Sequence, residues 1–237
     1  MRTLIKVGIS AIILSIASYV IIQVPSVQDR IMVSVVSGMA NTFGKLNKED
    51  ALSVAVCGSR SPIPSPGRAE TCMLVQAGEE MFVVDIGDGS NANLQNWGID
   101  YSKINAVLLT HLHSDHIADL PNLHQGAWIL QSRKDKLKVY GPEGVAIVTQ
   151  GIEMAYGLDY QFRNEHHGDA IAPREYAGFD TRTIDLNNPV IYENGALKIT
   201  AFKVIHEPIE PSLGYKFEYK GRSLVITGDT SYAQSVI

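Results

Sequence analysis

INAVLLTHLHSDHIADL, residues 104–120, decides how this chain folds. Residues 104–110 are almost wholly apolar, which suits a buried strand. HLHSDH follows at once, with His111, His113, Asp115 and His116 inside six residues. Four polar groups directly after a buried strand are costly unless they have partners, and a metal ion partners all of them together. Histidines at i and i+2 leave a strand end on the same side. The imidazoles of His111 and His113 therefore converge on one ion. Asp115 and His116 fall where the chain must turn, and they face a second ion beside the first.

Moving outward, the same pattern recurs twice. ALKITAFKVIH (196–206) ends on His206, and RSLVITGD (222–229) ends on Asp229. Each is a ligand-type side chain at a strand tip, so both are read as ligands. Upstream, ALSVAVC (51–57) reads as a strand, and GSRSPIPSPGRAE (58–70) as a loop. CMLVQAG and MFVVDIG form a hairpin, followed by a short helix in SNANLQNWG (90–98). Downstream, ADLPNLHQGAWILQS (118–132) has a helical period and KLKVYGP (136–142) is a strand. PEGVAIVTQGIEMAYG opens a helix with Pro142 near its first turn. Residues 157–189 are polar and read as an excursion over the surface; strands return at 196–206, 213–220 and 222–229. Strands and helices alternate in two blocks, which points to two packed sheets with outer helices.

Composition narrows the function classes. The chain has 237 residues, 45% hydrophobic, enough for a sizeable core and incompatible with wholesale disorder. Its net charge is -5 and it has no long basic run, so a protein that grips a phosphate backbone through bulk charge is excluded and no nucleic-acid partner is expected. Two cysteines, Cys57 and Cys72, exclude a cysteine zinc site and a disulfide-built scaffold. They are read as small buried groups, with a single disulfide left open. Residues 7–24 carry no charge and follow Arg2 and Lys6, which reads as an uncleaved membrane anchor or a signal segment. The expected organisation is an anchor or signal over 1–25, a linker over 26–50 and a hydrolase domain over 51–237. The catalytic part is expected outside the cytoplasm, periplasmic if bacterial, either membrane-anchored or secreted.

At this point the residues resemble the metallo-β-lactamase-fold hydrolases. HLHSDH matches their HxHxDH signature, VVDIGDG (83–89) their preceding strand, and TGDT (227–230) their later aspartate motif. More narrowly, GSRSPIPSPGRAETCMLV, VYGPEG and HEPIEPSLGYKFEYKGRSLVITGDT are similar to the arylsulfatase-like branch near ribonuclease Z. The resemblance covers residues 52–237. It implies a four-layer αββα sandwich, with an N-terminal membrane helix added here. It also implies two zinc ions per complete chain: His111, His113 and His206 on the first, Asp115 and His116 on the second, Asp229 bridging. The family has a further histidine after GDT; none follows Asp229 here, so the sequence is read as C-terminally incomplete.

The implied chemistry is hydrolysis by a metal-bridging hydroxide. Two zinc ions roughly 3.5–4 Å apart share a water and lower its pKa from about 15.7 toward 7. Asp115 is the expected catalytic residue, orienting that hydroxide and taking its proton. The main expectation is a small-molecule ester: an aryl sulfate, a phosphodiester or a carboxylic ester. The alternatives are tRNA 3′ processing as in ribonuclease Z, and a non-catalytic membrane-tethered zinc protein. Only 22 residues separate His206 from Asp229, whereas ribonuclease Z commonly inserts an RNA-gripping arm there. Arg163, His166 and His167 in YQFRNEHHG are read as lining the mouth and meeting an anionic substrate. His124 is read as a residue behind the ligands or on the surface, and Trp128 as core.

Overall fold

The computed structural model describes residue 12, residues 14–40, 44 and 46, and residues 49–236. Alternating apolar positions give ten strands in two sheets. The first sheet runs in chain order: β1 (Leu52–Gly58), β2 (Cys72–Ala77), β3 (Glu80–Val84), β4 (Ile104–Leu108), β5 (Leu137–Gly141) and β6 (Phe179–Thr183). β1, β2 and β3 pair antiparallel; β3 to β6 are parallel. The second sheet is antiparallel, β7 (Val190–Asn194), β8 (Leu197–His206), β9 (Ile209–Tyr219) and β10 (Arg222–Ile226), each beside the next.

Residues 14–22 are helical, and five α-helices follow: α1 (Pro25–Ala40), α2 (Ser90–Asn96), α3 (Ser114–Ile117), α4 (Leu120–Gln125) and α5 (Val145–His167). α4 runs on into one turn of π-helix, Gly126–Leu130. Because side chains alternate across a strand, the first sheet has two apolar faces. Val75, Phe82, Val84, Ala106 and Leu108 meet Ile199, Ala201, Tyr215 and Phe217 of the second sheet. Leu74, Met81, Val83, Val107 and Val139 meet Leu94, Leu120, Leu123 and Val145 of the helices. The result is a mixed α/β sandwich with layers in the order helix, sheet, sheet. The expected fourth layer, helices over the outer face of the second sheet, is not seen among the described residues.

One reading of local structure needs correction. The surface excursion expected over 157–189 contains a strand and the end of a long helix. α5 continues to His167 because Tyr160 turns inward, while Arg163–Asp159 and Gln161–Glu165 pair along its outer side. Gly168, at φ 69, ends it. β6 then adds to β5 as the edge of the parallel sheet, where half-exposed polar residues are tolerated. Trp128 is core as expected, its indole N–H donating to the Pro173 carbonyl at 2.9 Å. Cys57 and Cys72 form a disulfide.

The expected attachment to a membrane through an N-terminal helix is not supported. Among the described residues no helix is long and apolar enough to cross a membrane. Residues 1–11 and 13 of the expected anchor lie outside the described residues.

Candidate metal centre

The site sits at the carboxyl ends of β3 and β4. Parallel neighbours put their tips side by side, so Asp85 after β3 faces Thr110 after β4. Asp85 accepts the Thr110 backbone N–H at 2.8 Å through Oδ1, and the Thr110 hydroxyl at 2.8 Å through Oδ2. Asp85 Oδ2 also lies 2.8 Å from His116 Nδ1. This carboxylate holds the start of the histidine turn and its last histidine together. Beyond His113 the chain closes at once into the one-turn helix α3, which swings Asp115 and His116 back inward; both are buried.

The second sheet delivers the remaining side chains. The Leu213 N–H donates to the Thr110 carbonyl at 2.9 Å, and the Tyr215 hydroxyl donates to the Leu109 carbonyl at 2.6 Å. These bonds fix the β8–β9 hairpin, hence His206, over the turn. The TGD turn after β10 packs just as closely. A Cβ on Gly228, at φ 61, would lie 2.7 Å from Thr110 Cβ, so only glycine lets Asp229 approach.

Six of the expected residues therefore gather. His111 Nε2 and His113 Nδ1 face each other at 2.9 Å, and His206 Nε2 lies 3.5 Å from His113 Nδ1. Ligand atoms of His111, His113 and His206 all lie within 4.8 Å of one another, as do those of His111, His116 and Asp229. His116 Nε2 lies 3.7 Å from Asp115 Oδ2 and 3.8 Å from Asp229 Oδ1. It is fully buried and has no hydrogen-bond partner.

The electrostatics favour ligation. Burial, helped by the charges of His116, His113 and His206, holds the His111 imidazole down to about 3, so it is neutral and carries a lone pair at ordinary pH. At His116 burial also lowers the pKa, but the Asp85 hydrogen bond and the charges of Asp85, Asp229 and Asp115 outweigh it and raise the pKa overall. Burial raises Asp85, against the pull of His116 and Thr110. With Asp85 holding the Nδ1 proton, His116 presents the lone pair of Nε2 toward two carboxylates. Lone pairs and anions turned toward one centre repel, and a divalent cation with a preference for N and O donors removes that repulsion. The side chains present therefore fit one ion among His111, His113 and His206, and another beside His116, Asp115 and Asp229.

Arg163, His166 and His167 do not join them. α5 starts beside the site, where Gly144 abuts Leu112. At 1.5 Å per residue, Arg163 lies about 28 Å further along the axis. Arg163 pairs with Asp159 at 2.8 Å, and the His166 and His167 rings meet edge to face. None of the three belongs to the gathered ligand groups. His124 is buried in the core, its Nε2 accepting the Gly178 N–H at 2.9 Å. Sequence reasoning gave Asp85 no role. The signal was present, because Asp85 ends an apolar strand just as Asp229 does.

The Metallo-beta-lactamase superfamily model matches residues 65–237, which include all seven of these side chains. A Ribonuclease Z of Mycobacterium marinum is 34% identical over 181 residues, covering 76% of this chain and 63% of that protein. A Ribonuclease Z of Mycobacterium bovis is 34% identical over 186 residues, with the same coverage of 76% and 63%. The chain thus spans less than two thirds of these relatives' length. Among solved structures, a metallo-beta-lactamase fold protein of Bacillus subtilis shares 24% identity at TM-score 0.58, covering 79% of this chain and 66% of that one. Human tRNase Z, short form, shares 22% identity at TM-score 0.58, covering 75% and 69%. Relatives named for RNA cleavage overturn the expectation that nucleic acid is not a partner. The low charge excludes only binding through bulk charge. With the fold, the histidine turn and the matched segment in agreement, the chain belongs to the metallo-beta-lactamase superfamily.

Proposed function

We propose that the chain is a metal-dependent hydrolase of phosphodiester bonds with RNA as its substrate class, the finer reading being 3′ processing of tRNA precursors. The observation that carries this is the pair of ligand groups sharing His111, inside the segment matched by the superfamily. His111, His113 and His206 would hold one zinc ion; Asp115, His116 and Asp229 would hold a second. The bound ions supply Lewis acidity at the phosphate oxygens and lower the pKa of water. Asp115, 3% exposed, orients the attacking water and takes its proton. Asp85 fixes the His116 tautomer so that Nε2 faces the ions. No serine or cysteine nucleophile is needed.

The test is cleavage of 3′-extended tRNA and unstructured RNA by the full chain, with zinc and with chelator. Chelator-sensitive cleavage is expected; chelator-insensitive cleavage, or none with zinc, contradicts the reading.

One observation favours a second reading, hydrolysis of an aryl sulfate or carboxylic ester outside the cytoplasm. The Cys57–Cys72 disulfide belongs in an oxidising compartment. Chromogenic sulfate, phosphodiester and acetate substrates run beside RNA separate the two.

A further inference from the structure

The loop between β1 and β2, residues 59–71, packs against the 85–88 turn, and an ion-pair node ties it there. Glu70 is the one buried glutamate among the described residues, at 8% exposure. Its Oε1 lies 3.2 Å from Arg60 Nη2, and its Oε2 accepts the Asp88 backbone N–H at 3.0 Å. The same Arg60 nitrogen lies 3.3 Å from Asp88 Oδ2, and Arg60 Nε donates to the Arg68 carbonyl at 3.1 Å. Two backbone bonds reinforce the contact: the Glu70 N–H donates to the Asp88 carbonyl, and the Gly87 N–H to the Thr71 carbonyl. The node thus joins both arms of the loop to the 85–88 turn.

That turn supports the second ligand group. Its first residue, Asp85, holds His116 Nδ1. The Ile86 N–H donates to the His116 carbonyl at 2.8 Å, and the Asp119 N–H donates to the Ile86 carbonyl. A Cβ on Gly87 would lie 2.0 Å from the Asp115 carbonyl oxygen and 2.5 Å from Glu70 Cβ. Glu70, the 85–88 turn and the Asp115 backbone are therefore stacked in contact, with no slack to absorb a shift. A charge-neutral packing contact would not need a buried carboxylate here. The carboxylate fixes the far end of a four-residue turn whose near end aims His116.

We propose that Glu70 and Arg60 are positioning residues for the His116–Asp115–Asp229 cation site, acting through the Asp85–Asp88 turn. This rests on the metal reading of that site. Arg60 suits the task because one planar guanidinium meets three acceptors in fixed directions, a geometry that a flexible lysine does not fix.

The experiment is chelator competition on the cobalt(II)-loaded full chain, read through the visible absorption of bound cobalt and independent of turnover. Glu70→Gln keeps the shape and the Asp88 contact but removes the charge. It is expected to weaken the more labile cobalt about tenfold and to change its absorption envelope, the size of effect usual for groups behind a ligand. Arg60→Gln does the same, and Arg60→Lys recovers part of the loss. Arg182→Gln, which breaks the exposed Arg182–Asp180 pair, leaves cobalt affinity unchanged and serves as control. Should Glu70→Gln fold poorly, Arg60→Lys against Arg60→Gln carries the comparison alone. Cobalt affinity and spectrum unchanged in Glu70→Gln and Arg60→Gln, with only a lower Tm, would overturn the positioning role and leave the metal reading intact. A wild-type chain that binds no cobalt would overturn both.

Discussion

Replacing Asp85 by Asn removes one charge from the centre while keeping its shape, and the outcome follows from counting donors. Three groups give protons to Asp85: the Thr110 N–H to Oδ1, and the Thr110 hydroxyl and His116 Nδ1 to Oδ2, each at 2.8 Å. Asparagine has one oxygen. Placed to keep the Thr110 N–H, its amide nitrogen faces His116 Nδ1, where two N–H groups clash. The ring relieves the clash by accepting at Nδ1 and carrying its proton on Nε2, the atom that faces Asp115 and Asp229. A protonated Nε2 cannot ligate. Groups behind a ligand typically change metal affinity 10–100-fold, or about 1.4–2.7 kcal/mol. Losing the hydrogen bond to a charged acceptor costs about 1.5–3 kcal/mol of stability. Asp85→Ala is a poorer test. It strands three buried donors at about 1–3 kcal/mol each, comparable with the whole stability of a domain. Zinc affinity measured by chelator competition should fall at least tenfold in Asp85→Asn, while the protein remains folded by circular dichroism. Affinity equal to wild type would refute the tautomer argument.

Other outcomes follow from the same structure. His113→Ala and Asp229→Ala should each reduce RNA cleavage more than about 100-fold, with unchanged RNA turnover in either variant contradicting its assigned role. Burial, opposed by backbone hydrogen bonds, lowers His124 from 6.5 to about 4. The unfolded chain therefore binds a proton the folded chain refuses between about pH 6.5 and 4, and stability falls through that window by about 3 kcal/mol. In the metal-free protein His111, held down to about 3, steepens the same acid limb. His124→Gln should flatten the Tm–pH curve between pH 6.5 and 4; an unaltered slope would show that His124 does not drive it. The disulfide closes a segment of sequence separation 15, so Cys57→Ser/Cys72→Ser should lower stability by about 3 kcal/mol in denaturant titrations. A loss under about 0.5 kcal/mol would mean that the β1–β2 loop is already held by the Arg60 node.

The sandwich and four of the six gathered side chains were legible because they obey one local rule: a polar ligand-type residue at the end of an apolar strand. That rule placed His111, His113, His206 and Asp229 at tips that the sheets bring together. It applied equally to Asp85, whose partner His116 lies 31 positions along the chain, and a contact of that separation is invisible without the β3–β4 pairing. Arg163, His166 and His167 were misplaced for the opposite reason. Their polarity suggested a loop, yet they complete a 23-residue helix and stand outside the gathered ligand groups. The same misreading hid β6, an edge strand whose polar outer face reads as a loop. Glu70 escaped notice because a glutamate in a Gly- and Pro-rich loop looks exposed. Only the neighbouring turn makes it buried.

The central claim, that the histidine turn and the two later strand tips hold divalent cations, is tested most directly by elemental analysis of the purified full chain after zinc loading and dialysis. At least one tightly held transition-metal ion per chain is expected in the wild type, with loss of that ion in the double variant His111→Ala/His113→Ala. A wild-type chain that emerges metal-free, or a double variant that retains the same metal content, would contradict the account.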